Sequence, residues 1–125
     1  MSNLISFNEY QDRALGTARY PKVAIVDADN RPVSAPLGWV YPAGKLGGET
    51  GELQEKVFKL LRDANGVVTP EVRAAVVREL GDILWYVSAV AHEFKATLLE
   101  VAETNLAKLA SRAERNVLHG SGDDR

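Results

Sequence analysis

Apolar and polar positions alternate along this chain with a helical period, in blocks separated by glycine, proline and capping residues. Ser6-x-x-Glu9 has the form of a capping box and opens a short first helix that runs to about Ala18, where Tyr20-Pro21 ends it. Residues 22–42 read as loop, with Val23 to Val26 and a turn at Asp27-Ala28-Asp29-Asn30 forming a small β-hairpin, and their prolines exclude a helix. A second helix is expected from about Ala43 to Asp63. Its residues, placed at ~100° steps, divide into an apolar stripe of Leu46, Leu53, Val57, Leu60 and Leu61 and a border of Lys45, Glu49, Glu52, Lys56 and Lys59. Ala64-Asn65-Gly66 closes it, and Thr69-Pro70 opens a third helix as N-cap and N1. From Ile83 to Ala91 that helix is apolar nearly all round, the pattern of a central, buried element. Phe94-Lys95 breaks it. Thr97-x-x-Glu100 caps a fourth helix reaching about Ala113, striped by Leu98, Leu99, Ala102, Leu106, Leu109 and Ala113. The tail, Val117 to Arg125, is glycine-rich and charged and is expected to be mobile. The fold class is therefore all-α: a bundle of about four helices with a loop or hairpin insertion near residues 22–42.

Within this frame, two acidic phrases stand out. Glu49-Thr50-Gly51-Glu52 and Glu79-Leu80-Gly81-Asp82 each place carboxylates at i and i+3, on one face of a helix. Glu-x-x-Glu alone is an ordinary solvated face. Asp82, however, lies inside the apolar phrase Leu80-Gly81-Asp82-Ile83-Leu84-Trp85, where an unpaired carboxylate would be costly. Two such helices packed together make a four-carboxylate nest of Glu49, Glu52, Glu79 and Asp82, suited to a hard cation such as Mg²⁺ that shares its shell with phosphates. Beside it, Asn105, Lys108 and Arg112 on the fourth helix form a candidate phosphate clamp. Lys56 and Lys59 are within reach of phosphate, or else form i, i+4 pairs with Glu52 and Glu55. Tyr86 is either core or a stacking platform for a base, and Trp85, about 100° away, is core or interface. Gly47, Gly48 and Gly51 lower helix propensity and point to close approach by a ligand or another backbone.

Composition narrows the chemistry. At 125 residues the chain is expected to be one domain, residues 1–125. With 15 basic and 17 acidic residues it has no electrostatic footprint for duplex nucleic acid or an anionic membrane. It has no cysteine, which excludes disulfides and thiolate zinc sites, and its two histidines, His92 and His119, read as structural or solvent-facing. The apolar run at 83–91 is too short to span a bilayer and the N-terminus lacks a signal pattern, so a cytoplasmic location is expected.

The phrases Gly48-Glu49-Thr50-Gly51-Glu52-Leu53, Glu79-Leu80-Gly81-Asp82-Ile83-Leu84-Trp85-Tyr86 and Asn105-Leu106-Ala107-Lys108-Leu109-Ala110-Ser111-Arg112 together resemble the MazG-like nucleoside triphosphate pyrophosphohydrolases. The closing His119-Gly120-Ser121-Gly122-Asp123-Asp124-Arg125 is similar to the ending of small phage-type members. The resemblance implies an all-α bundle completed as a homo-oligomer, dimer or tetramer, and Mg²⁺-dependent hydrolysis between the α and β phosphates of a nucleoside triphosphate, with Mn²⁺ as a substitute ion. It implies that Glu49, Glu52, Glu79 and Asp82 are the catalytic, metal-holding acids, and that Asn105, Lys108 and Arg112 bind metal-phosphate or phosphate oxygens; Lys59 and Tyr86, from their place beside the acids, complete the expected substrate contacts. Many members carry a further acid where this chain has Gly48, which leaves Glu49 or Glu55 to activate water. The segment from Lys22 to Val40 is unlike the family core. The rival expectations are a dUTPase, dCTPase or phosphoribosyl-ATP pyrophosphatase of the same superfamily, and a non-catalytic helical interaction module.

Overall fold

The computed structural model describes residues 4–115, and within them the chain forms four helices: α1 (Phe7–Leu15), α2 (Val40–Ala64), α3 (Pro70–Glu93) and α4 (Leu98–Glu114). The tail expected at 117–125 lies outside the described residues, as does His119. Helix starts follow the capping logic. The hydroxyls of Ser6, Thr69 and Thr97 accept from the backbone N–H groups of Glu9, Val72 and Glu100, at 3.1, 3.2 and 3.1 Å.

Two boundaries differ from expectation. Helix α1 stops at Leu15 rather than Ala18, because Thr17 bonds back to Ala14 O through its hydroxyl at 2.7 Å and its N–H at 3.0 Å, tightening the last turn. Helix α2 begins at Val40 and so contains Pro42, which the sequence assigned to loop. A proline in the first turn forfeits only an N–H that has no intrahelical acceptor. At the other end, Asn65 and Gly66 take positive φ (51° and 75°), and Gly66 N donates to Leu60 O at 3.1 Å. Lys95, at φ 60°, likewise turns the chain between α3 and α4.

The hairpin is present as two isolated antiparallel bridges, Val23 with Leu37 and Val26 with Pro32. Val23 and Leu37 exchange backbone bonds of 2.9 and 2.8 Å. At its tip the Asp27 carboxylate accepts from the N–H groups of Asp29 and Arg31, both at 2.9 Å.

Helices α2 and α3 form the main antiparallel pair, and α1 and α4 pack on α3 and on each other. The core sits where α1, α3 and α4 meet: Ser88, Ala89, Ala91 and Leu98 are buried. Central burial of α3 therefore holds near its C-terminal end, while Val77, Leu80 and Leu84 remain exposed. The glycines of α2 that pointed to close approach, Gly47, Gly48 and Gly51, have open space where a Cβ would stand, so no backbone of the described chain approaches them.

One buried side chain ties three helices together. The Gln11 amide donates to Ser88 O (3.2 Å) and Ala96 O (3.3 Å) and accepts from Leu98 N–H (2.9 Å), an orphan donor of the first turn of α4. Gln11→Ala is expected to lower stability by about 2–4 kcal/mol in denaturant unfolding, since buried backbone groups lose their partner. Asn8→Ala, which removes only an exposed bond to Leu99 N–H, should cost under about 1 kcal/mol.

Candidate metal and nucleotide site

The antiparallel register of α2 and α3 sets Glu49 of the first opposite Glu79 and Asp82 of the second. Carboxylate oxygens of all three lie within 4.8 Å of one another. Glu52, one turn beyond Glu49, is exposed and stands outside this group. The two glutamate side chains are only 12% exposed, and each is met by a lysine: Lys45 Nζ lies 3.4 Å from Glu49, and Lys56 Nζ 3.1 Å from Glu79. The second oxygen of Glu79, Oε2, is buried with no hydrogen-bond partner. Asp82 itself is exposed, so the desolvation argument made for it from its apolar neighbours fails. It applies instead to Glu49 and Glu79, the acids with lysine partners.

These lysines redraw the charge pattern read from sequence. Glu55 and Lys59 form the expected helix pair at 2.7 Å, and the bond from Lys59 holds the Glu55 carboxyl below its ordinary range. That pair lines a separate cleft with Gln54, Phe58 and Arg62, away from the three clustered acids. Lys56 does not pair with Glu52 but crosses to α3. Lys45, which sequence reasoning left on the border of the stripe, belongs to the site; its i, i+4 spacing to Glu49 was the available signal. The bond and charge of Glu49 raise the Lys45 pKa, so it stays an ammonium.

Aromatic rings wall the cluster on one side. An open cleft of about 390 Å³ is lined by Glu49, Asp82, Trp85 and Tyr86. Trp85 and Tyr86 meet edge to face at 4.9 Å, and Trp85 meets Tyr20 edge to face at 6.2 Å. Tyr20 in turn stacks on Tyr41 at 6.3 Å. Trp85 is half-buried: its ring borders the cleft while its Nε1–H donates to Ala14 O and Thr17 Oγ1, both at 3.1 Å. Burial raises the Tyr86 pKa, and burial followed by the charge of Asp82 raises that of Tyr10. Tyr10, Tyr20 and Tyr41 were not legible as site neighbours, because nothing in their local spacing links them to the acids.

On α4 the candidate clamp residues differ in setting. Asn105 and Lys108 are exposed, whereas Arg112 is buried, 5% exposed. Their helix packs on the acid-bearing pair at α3. His92 is exposed and lines a cleft with Tyr20 and Glu93, outside the acid cluster.

Fold and site together define the class: an all-α helical bundle with a carboxylate cluster between its two longest helices. The chain belongs to the MazG family, since the model of the MazG nucleotide pyrophosphohydrolase domain matches residues 43–117. It is 42% identical over 116 residues to the "Gene 37 protein" of Mycobacterium phage L5, a match that covers 93% of this chain and 96% of that one. No solved structure matches. The matched region contains all of α3 and α4 and α2 from its fourth residue, and leaves out α1 and the hairpin. Among the described residues, no helix is long and apolar enough to cross a membrane.

The Tyr20 hydroxyl donates to Glu93 Oε1 at 2.5 Å, and burial, followed by this bond and the Glu93 charge, pushes its pKa up from 10.0 to about 12. The folded state thus favours the neutral phenol. Stability from this group is complete below pH 10 and is lost as pH rises towards about 12. Between those limits the thermal midpoint of Tyr20→Phe should fall less steeply than that of the native chain, and the phenolate absorbance that appears at about pH 12 should vanish.

Proposed function

We propose that the protein is a Mg²⁺-dependent nucleoside triphosphate pyrophosphohydrolase, which adds water between the α and β phosphates to give a nucleoside monophosphate and pyrophosphate. The observation that carries this reading is the convergence of Glu49, Glu79 and Asp82 from two helices of a MazG-family chain, with Glu79 Oε2 buried and unpartnered. An all-oxygen donor set of this kind fits a hard divalent ion, Mg²⁺ or Mn²⁺ in its place. Glu49, Glu79 and Asp82 would hold the ion, and Glu52, one turn along α2, would join them by turning inward. The ion supplies charge neutralisation and Lewis acidity towards the polyphosphate.

The chain's own groups take the remaining roles. Asn105, Lys108 and Arg112 of α4 are assigned to phosphate oxygens, where lysine acts as a point charge and arginine as a planar fork. Tyr86 and Trp85 offer ring surface beside the acids for a nucleobase. With glycine at position 48, the proton of the attacking water falls to Glu49 or Glu55. Glu55 and Lys59 line another cleft, away from the clustered acids, so the role goes to Glu49, and Lys59 is assigned none.

A homo-oligomer, dimer or tetramer, belongs to the same proposal. Phe58, Leu61, Val77, Leu80 and Leu84 of the α2–α3 pair are all exposed in the single chain, apolar side chains that a second copy would cover. Sedimentation is expected to give at least twice the 13.6 kDa chain mass. A monomer at micromolar concentration would contradict this part.

The catalytic part is tested by pyrophosphate release from a panel of ribo- and deoxyribonucleoside triphosphates, dUTP, dCTP and phosphoribosyl-ATP included, with Mg²⁺ and with chelator. Turnover should require the ion and should fall at least about 100-fold in Glu79→Gln, with helix content by circular dichroism unchanged. Equal turnover in the variant would sink the site assignment. No turnover on any substrate and no Mg²⁺-dependent thermal shift would favour a non-catalytic helical module.

A further inference from the structure

Three clustered carboxylates and two lysines leave the site almost neutral, and the lysines are held on different terms from the acids. Each glutamate side chain is 12% exposed, whereas Lys45 and Lys56 are both 41% exposed, so the ammonium ends swing into water without disturbing packing. Lys56 is the more telling. Glu52 stands four residues before it on α2, the ordinary partner for a helix pair, yet Lys56 bonds Glu79 across the interhelical gap. The field of the clustered acids outcompetes the local pairing. A divalent ion entering the same cluster would meet two ammonium groups already bound to its ligands, and like charges at such range repel.

We propose that Lys45 and Lys56 are exchangeable counter-ions of this cluster: each holds one glutamate while the cation is absent, gives it up as the cation binds, and then bonds the incoming polyphosphate. The proposal rests on the metal-site reading above and adds roles for two residues that the α4 clamp does not cover. The exchange leaves the charge of the cluster unchanged, because one divalent ion replaces two ammonium groups on the three acids, and the freed ammonium groups offset part of the added phosphate charge. A lysine used only as a structural tie would stay on its glutamate throughout, and its removal would loosen the pocket for every ligand.

The two roles are separated by measuring Mn²⁺ affinity, from the loss of the free-ion paramagnetic resonance signal, and then the affinity of Mg²⁺-saturated protein for inorganic tripolyphosphate, by calorimetry. Lys45→Met and Lys56→Met should each bind Mn²⁺ more tightly, by about two- to fivefold for an exposed ion pair, and tripolyphosphate more weakly, by about fivefold or more. Arg62→Met, whose guanidinium pairs with Asp63 on the same helix, should change neither. Opposite shifts in the two affinities support the exchange. Mn²⁺ affinity unchanged or weakened in both lysine variants, or tripolyphosphate affinity unchanged in both, overturns it. Glu79→Gln distinguishes the underlying reading: if native protein and Glu79→Gln bind Mn²⁺ equally, the metal site itself is wrong and the exchange falls with it. If Glu79→Gln loses Mn²⁺ binding while the lysine variants match the native protein, only the exchange fails.

Discussion

Mutual repulsion among three carboxylates is the constraint around which this molecule is arranged. At separations near 4.8 Å, each pair of charges repels by roughly 3 kcal/mol at the effective dielectric of a partly wet protein surface. The structure answers that repulsion in two ways. The two acids withdrawn from water, Glu49 and Glu79, each receive an ammonium group, and Asp82 is left facing solvent. Burial and compensation therefore go together residue by residue, and Glu79 Oε2, a buried oxygen without a partner, is where the compensation is incomplete. That residual deficit separates this cluster from an ordinary solvated acidic face.

Holding acids against their repulsion requires a rigid frame. The pairing of α2 with α3 sets which acids meet, and the left-handed residues Asn65 and Gly66, with the Thr69 cap, fix where that pairing begins. The buried Gln11 amide then keys α1 and α4 onto the far end of α3. A third fastening closes the side between them. Glu93 accepts from Tyr20, and its other oxygen lies where a Cβ on Gly38 would stand, so a side chain at Gly38 would displace the carboxylate. The start of the hairpin segment is thus tied to the last residue of α3, and its exit into α2 runs close against that residue.

Much of this was legible in the sequence, for a physical reason. Capping hydroxyls, turn residues and helical periodicity act over a few residues, so Ser6, Thr69, Thr97 and Asn65-Gly66 announced their boundaries, and the i, i+3 acids announced three members of the cluster. What could not be read is what depends on register between helices. Lys56 was expected beside Glu52 because local geometry allows it, and only the α2–α3 pairing shows Glu79 to be its partner. Asp82 was expected to be the buried acid because its neighbours in sequence are apolar, but the face it occupies turns towards solvent and its exposure follows the face. Pro42 was misread for the opposite reason: a local rule was applied without the exception that the first turn provides.

The division between shared and particular parts of the chain falls along the same line as the division between charge and shape. The acids, their lysines and the basic edge of α4 all lie within residues 43–117, the part that matches the MazG domain. The rings that extend the aromatic wall beyond Trp85 and Tyr86, namely Tyr20 and Tyr41, both lie before it, at the exit of α1 and at the start of α2. They reach the site because Trp85 faces two ways. Its ring edge joins the cleft, and its N–H anchors the last turn of α1. Together with the Gln11 and Tyr20 bonds to α3, that side chain couples the position of the elements outside the matched region to the helix that carries Glu79 and Asp82. Changes in α1 or the hairpin can therefore reshape the rim of the cleft while the α2–α3 pairing keeps the charge arrangement as it is.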